Sequence, residues 1–189
     1  KIITISEPVK KRIVKGGVDS SKVTVIPCGV DISLPTQVFS KKKNQLITVS
    51  RLVPYKRVDW AIKVFSYLYK KDTLLRLIVV GDGPEEEKLK NMAIKLKLNT
   101  KITFVKNVRQ QELATLIAQS KLLLHPSLIE GFGIVLVETA SLGTPFVAAD
   151  IPTSKELSKK LQSGIVFRQN SLEDFTQKAH KLLIDKKMY

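Results

Sequence analysis

Two hydrophobic rhythms alternate along the chain. Short apolar runs at residues 45–50, 74–80, 102–105, 121–124, 145–149 and 164–168 have the length of strands, and their near-continuous hydrophobicity fits strands buried on both faces. Between them lie longer segments in which apolar residues recur every three or four positions. Residues 56–71 place Val58, Ala61, Ile62, Phe65 and Leu68 on one face, and helical segments follow from Pro84, at 110–119, after Gly133, at 154–160 and from Leu172. This alternation predicts an α/β fold: a doubly wound, Rossmann-like parallel sheet of six strands with five intervening helices on its two faces.

The N-terminal stretch has the same vocabulary in a shorter form. Residues 1–5 read as a strand, Ser6 as the cap of a helix with Pro8 in its first turn, and Gly16-Gly17 as its stop. A second short strand at 23–26 closes at Pro27-Cys28-Gly29. Residues 31–44 are polar, contain Pro and Lys and show no periodicity, which marks an interdomain linker. The expected organisation is a tail of one domain at 1–30, the linker at 31–44 and a second domain at 45–189. The chain starts abruptly at a Lys with no initiator Met, so it reads as an excised piece of something longer.

Composition narrows the function classes. At 189 residues and 43% hydrophobic content the chain can bury a full core. No apolar run approaches the ~18 residues of a membrane span, and the first residues lack the layout of a signal peptide. A single cysteine, Cys28, leaves no internal disulfide, fits a reducing compartment and reads as a small buried or turn residue. Two histidines, His125 at a strand end and His180 on a helix, are too few and too scattered for a metal site, so no metal or other cofactor is expected. The net charge of +15 is spread over clusters such as Lys10-Lys11-Arg12, Lys41-Lys42-Lys43 and Lys186-Lys187. Such a surface attracts anions: phosphorylated ligands, anionic lipid or nucleic acid. Little aromatic interleaving makes it a poor platform for single strands, so nucleic acid is not the expected partner.

Ligands of an open parallel sheet bind beyond the carboxyl ends of its strands, and three such ends carry chemistry. The first strand runs into Ser50-Arg51-Leu52-Val53-Pro54-Tyr55-Lys56, with Arg51 just off the strand and Lys56 at the start of the next helix; a guanidinium fork and a mobile ammonium suit a diphosphate. The second end is Gly81-Asp82-Gly83-Pro84, where glycines let a ligand pass near the backbone. The third is Glu130-Gly131-Phe132-Gly133-Ile134-Val135-Leu136-Val137-Glu138, a glycine-opened helix start between two carboxylates, which favours an anion at the bare N–H groups. If the intervening residues are mostly helical, Glu130 and Glu138 stand roughly 12 Å apart at ~1.5 Å per residue. Paired carboxylates for glycoside hydrolysis need about 5–9.5 Å. The two acids therefore suit distant hydroxyl-bearing parts of one elongated ligand, although Glu138 alone is also compatible with a salt-bridged helix residue.

The combination S-R-L-x-P-x-K, V-V-G-D-G-P and H-P-S-x-x-E-G-F-G-I-V-L-V-E-T-A-S-L-G-T-P-F-V-A resembles the nucleotide-sugar-binding, C-terminal domain of retaining GT-B glycosyltransferases, in particular family 4. The resemblance covers about residues 45–185, and residues 1–30 look like the last strand and exit of the N-terminal acceptor domain of such enzymes. It implies a donor such as a UDP- or GDP-linked hexose and transfer with retention to a saccharide or lipid-linked acceptor. It also implies that Arg51 and Lys56 grip the diphosphate, Glu130 faces the hexose and Glu138 holds the ribose. Gly131, Phe132 and Gly133 would offer backbone N–H groups, and Ile134 and Val135 would extend that contact. Lys106, Asn107 and Val108 would cradle the base, and Gly81 and Gly83 would line the crevice. Residues 151–156 depart from the family pattern, which usually has a Gly-rich turn before Pro-Glu.

The acceptor site would belong to a missing N-terminal domain, so this piece is expected to bind donor but to turn over little. Enzymes of this type often work at the cytoplasmic membrane face, which implies a cytoplasmic protein, peripheral at an anionic inner surface. The competing readings are a non-catalytic GT-B-like module that docks nucleic acid or anionic membrane, another GT-B enzyme such as an epimerase or phosphorylase, and a dinucleotide binder. The last lacks G-x-G-x-x-G after the first strand.

Overall fold

A computed structural model describes residues 1–30 and 42–184. Most of the expected linker, Lys41 and the Lys186-Lys187 cluster lie outside these residues. Six strands form one parallel sheet: β3 (Gln45–Val49), β4 (Arg76–Val80), β5 (Ile102–Val105), β6 (Leu122–His125), β7 (Phe146–Ala149) and β8 (Gly164–Phe167). They are preceded by a parallel pair, β1 (Ile2–Thr4) and β2 (Val23–Val25), joined through α1 (Glu7–Lys15). The remaining helices are α2 (Val58–Tyr69), α3 (Glu86–Lys95), α4 (Gln110–Ala118), α5 (Ile134–Ser141), α6 (Pro152–Leu161) and α7 (Leu172–Ile184).

Strand alternation sorts the core onto two faces. Leu46, Leu77, Val79, Leu122, Leu124 and Val147 pack with α2, α3 and α7, whereas their neighbours Ile47, Ile78, Val80, Leu123, Phe146 and Ala148 pack with α4, α5 and α6. Helices on both faces leave no solvent side, which is why these strands read as continuous apolar runs. The strand order is β5-β4-β3-β6-β7-β8. The chain therefore winds outward from β3 in one direction, then returns to lay β6 on the other side of β3. The β3–β6 border is the topological switch point, the place where ligands of such open sheets bind.

Several element boundaries differ from the expectation, each for a local reason. Lys56 does not start a helix: Pro54–Lys56 is a tight 3-10 turn, Arg57 is left-handed at φ 52°, and α2 begins only at Val58. Proline preorganises the turn, and the left-handed residue cannot continue it. The helix expected from Pro84 starts at Glu86, because the Glu85 N–H donates to the Leu52 carbonyl across the crevice floor. At 74–80 the strand starts at exposed Arg76. Helix α6 starts earlier than expected, with Pro152 at its first turn. The Ser6 cap is present, its Oγ accepting from the Val9 N–H. Of the two readings of Cys28, buried or in a turn, burial does not hold: the residue is exposed. One lysine of the basic clusters is not a free surface charge: Lys42 Nζ donates to Thr144 Oγ1 at 2.6 Å, and burial lowers its pKa to about 8.

Candidate functional site

The loops that leave β3 and β6 are tied together across the switch point. Lys56, in the 3-10 turn after β3, donates to Glu130 Oε1 at 2.5 Å, and His125 Nε2, at the end of β6, lies 2.8 Å from the same oxygen. Backbone bonds fix both partners: the Leu128 N–H donates to the Tyr55 carbonyl at 2.9 Å, and Thr153 Oγ1 donates to the Glu130 carbonyl at 3.1 Å. The side chains of Lys56 and Glu130 are only 13% and 12% exposed, and that of His125 is 3% exposed.

Burial alone would push the Glu130 carboxyl up. The hydrogen bond and charge of His125, followed by those of Lys56, outweigh it and bring the pKa down to about 2. Glu130 is then an ionised acceptor at neutral pH, so the His125 Nε2 facing it carries the proton. Both donors converge on Oε1. Among the described residues Oε2 accepts no hydrogen bond, which leaves one carboxylate oxygen for a hydroxyl. Lys56 has three N–H donors and spends one on Glu130.

Arg51 is exposed, and its Nη2 donates to Tyr55 Oη. Its loop is seated by the glycines after β4. A Cβ on Gly81 would stand 1.9 Å from the Ser50 carbonyl oxygen, and one on Gly83 2.5 Å from that of Leu52; both glycines have positive φ, 136° and 148°. Gly81 and Gly83 thus pack against the backbone that carries Arg51. Arg57, next to Lys56, stacks on Trp60 with 3.5 Å from guanidinium carbon to ring centroid and donates to Asn170 Oδ1, which anchors the turn on α2.

The turn after Glu130 does not continue a helix from that residue. Helix α5 begins at Ile134 behind Gly133, which is left-handed at φ 81°, and no side chain caps its N-terminus. The assumption of a mostly helical path between Glu130 and Glu138 therefore holds only for its second half. Gly133 and Val135 are buried, Ile134 is 46% exposed, and Glu138 accepts from Gln110 Nε2 of α4 at 3.1 Å. The Gly131 carbonyl accepts from Ser6 Oγ at 2.8 Å, and Phe132 lines a cavity shared with the N-terminal segment. After β5, Lys106 pairs with Glu86 of α3 at 2.5 Å, Asn107 is left-handed at φ 52°, and Val108 packs onto the α4–α5 side of the core.

The structure thus joins Lys56 and Glu130 directly and brings Arg51 to the same rim. Glu138 and Lys106 are partnered separately on α4 and α3. Sequence reasoning missed His125, Tyr55, Thr153 and Ser6, which hold the Glu130 turn. Only His125 left a signal, a polar residue closing an apolar strand five positions before the glutamate. Among the described residues no cluster of three His, Cys, Asp or Glu could hold a metal ion, and no helix is long and apolar enough to cross a membrane.

Six parallel strands in this order, with charged loops converging on the switch point, define a Rossmann-like domain. The chain belongs to the family described as Glycosyl transferases group 1, whose profile matches residues 32–189. It is 32% identical over 181 residues to the O-antigen chain mannosyltransferase RfbU of Salmonella typhimurium, covering 95% of this chain and 50% of that protein. It is 30% identical over 158 residues to an uncharacterized glycosyltransferase of Haemophilus influenzae, covering 82% and 44%. The chain thus spans about half the length of these curated relatives. Among solved structures, Anabaena HepE in complex with UDP and glucose superposes with a TM-score of 0.85 at 22% identity, covering 98% of this chain and 54% of that one. The pneumococcal O-GlcNAc transferase GtfA, in complex with UDP and GlcNAc, gives 0.79 at 23%, covering 96% and 36%. At these identities the superpositions establish the fold alone, the Rossmann-like half of a GT-B glycosyltransferase.

Proposed function

We propose that the chain is the donor-binding half of a retaining glycosyltransferase that moves a hexosyl group from a nucleoside-diphosphate sugar to a saccharide or lipid-linked acceptor. One observation carries the reading. The half-buried Lys56–Glu130 pair sits at the switch point and, among the described residues, presents side by side an ammonium with unused donors and a carboxylate with an unused acceptor. Those are complementary to a phosphate and to a sugar hydroxyl, the two groups that adjoin in a nucleoside-diphosphate hexose. The GT-B relatives solved with UDP and a sugar support the same ligand class.

In this reading Arg51 and Lys56 neutralise the diphosphate and stabilise it as it departs, a task assigned to them rather than to a metal ion. Glu130 Oε2 accepts from a hexose hydroxyl. The N–H groups of Gly131, Phe132 and Gly133 and the first turn of α5, with Ile134 and Val135, meet phosphate and sugar. Glu138 takes the ribose hydroxyls, and the 106–108 loop and the crevice floor at Gly81 and Gly83 bound the base and phosphates. The C1–O bond to the diphosphate breaks, the acceptor oxygen bonds to C1 on the same face, and the acceptor proton leaves on a phosphate oxygen. The domain division belongs to the same proposal: residues 1–30 are the end of an acceptor domain, 31–44 the linker, and an N-terminal partner domain completes the cleft. Turnover by this piece alone is then negligible, and the complete enzyme works in the cytoplasm, at an anionic membrane face.

Calorimetry with UDP, GDP, ADP and their hexose conjugates tests the proposal. Saturable binding of at least one conjugate is expected; no heat with any of them overturns it. Salt-sensitive DNA binding without nucleotide-sugar binding would instead favour the non-catalytic module.

A further inference from the structure

Helix α1 faces the Glu130 turn across a cavity of about 350 Å³. Its inner wall is Glu130 with Leu128 and Ile129, its floor is Ile151, Pro152 and Thr153 at the start of α6, and its outer wall is α1. Pro8, Lys11, Arg12 and Lys15 line it, spaced as one helical stripe at i, i+3, i+4 and i+7. Three cations therefore border one opening. Arg12 and Lys15 fall in the last turn of α1, where they answer the helix dipole wherever they point; Lys11 does not.

None of the three has an ion-pair partner among the described residues. The acidic groups on the opposite side are already spoken for: Glu130 by Lys56 and His125, Asp150, next to the lining residue Ile151, by Lys155, and Glu156 by Lys160. The cavity thus holds a positive excess among the described residues: three cations against the single lining carboxylate of Glu130, whose charge Lys56 and His125 already share, over walls that are otherwise largely apolar. Glu130 forms its inner end, so a ligand seated here lies against the residue assigned above to the donor hexose.

We infer that this cavity is a subsite for the acceptor, and that the acceptor carries a phosphate group held by Lys11, Arg12 and Lys15. The inference rests on the donor reading for its orientation: a molecule that enters past α1 meets the transferred sugar at Glu130, while its phosphate stays at the rim. The apolar wall of Val9, Leu128 and Ile129 suits the non-polar face of a sugar ring or the first methylenes of a lipid. A phosphate on a soluble sugar and a phosphate in a lipid headgroup present the same chemistry to the three cations.

The test uses the 189-residue chain at constant ionic strength, followed by amide chemical shifts. Inorganic phosphate and glucose 6-phosphate are expected to shift amides of α1 and of Thr153 saturably, while glucose alone shifts none. Lys11→Gln/Arg12→Gln/Lys15→Gln should weaken phosphate binding at least tenfold and leave UDP affinity within twofold; Arg12→Gln alone, a minimal change on an exposed helix, should weaken it about threefold. Loss of UDP binding in the triple variant would overturn the subsite, because the cations would then serve the donor diphosphate. Sedimentation with phosphatidylglycerol vesicles but no saturable response to soluble phosphate would also overturn it, in favour of diffuse membrane attraction. Phosphate binding at α1 with no binding of any nucleotide would leave the subsite standing and sink the donor reading.

Discussion

Gly81-Asp82-Gly83 and Gly131-Phe132-Gly133 are the same three-residue pattern at two strand ends, yet the glycines serve different needs. At the first turn neither glycine can be replaced without collision: both have positive φ, and a Cβ would drive into the carbonyls of Ser50 and Leu52. That turn is a seat, and what it seats is the loop bearing Arg51 and Lys56. At the second turn only Gly133 is conformationally forced, by its left-handed entry into α5. Gly131 has a permitted φ and open surroundings, with Ile5 Cδ1 3.7 Å from the position of a Cβ. A glycine that packing does not require fits the proposed donor site, where a bare backbone lets a ligand approach. The pattern is one, but its first copy holds a loop in place, and its second is the copy that the proposed function turns toward the ligand.

The first way to break that contrast is Gly81→Ala, expected to cost about 4 kcal/mol or more, the range reserved for backbone collision with no flexible neighbour to yield; chemical denaturation reads it, and near-native stability would refute the seat. Next is Lys56→Ala, which strips one of two donors from the buried Glu130 carboxylate and should cost about 3 kcal/mol while removing diphosphate affinity. Retained UDP binding in that variant would separate Lys56 from the ligand.

The third prediction concerns pH. The folded pKa of Glu130, about 2, lies below its ordinary 4.5. Its contribution is therefore complete above about pH 4.5 and is lost as the pH falls through 2, a span worth about 3 kcal/mol. Stability of the wild type measured against Glu130→Gln from pH 6 to 2 should converge by roughly that amount, and parallel curves would contradict the assignment. Gly133→Ala is expected to cost about 1–2 kcal/mol for a left-handed alanine, since its nearest neighbour is the flexible tip of Leu157. Smallest is Gly131→Ala, within about 0.5 kcal/mol of wild type but several-fold weaker for nucleotide sugar by calorimetry. A large stability loss there would erase the difference between the two turns.

What could be read from the sequence follows the range of the interactions. The six strands and the helices between them were legible because burial on both faces writes itself as apolar runs at each strand. Arg51, Lys56 and Glu130 were legible as charges beside strand ends. The boundary at α2 was not, since Arg57 takes its left-handed conformation while stacking on Trp60 and bonding Asn170, a residue 113 positions away. Nor was the seat: the sequence shows two glycines after a strand but not that an added Cβ would meet a loop thirty residues earlier. His125 looked like an ordinary strand end because its partner is fixed by the path of the turn, and a turn's path is set by distant contacts such as Thr153 and Ser6. The three cations of α1, unpaired among the described residues, were visible as charge, but their common cavity exists only once α1 is placed against the Glu130 turn.

The central claim is that the Lys56–Glu130 pair divides one ligand between them, phosphate to the lysine and sugar to the glutamate. The most direct measurement compares the affinity of the preferred nucleotide sugar with that of its nucleotide diphosphate alone, in the wild type and in Glu130→Gln. The account predicts that the substitution brings the sugar conjugate down to the affinity of the bare diphosphate and leaves the diphosphate unchanged. Equal losses for both ligands, or no loss for either, would contradict it.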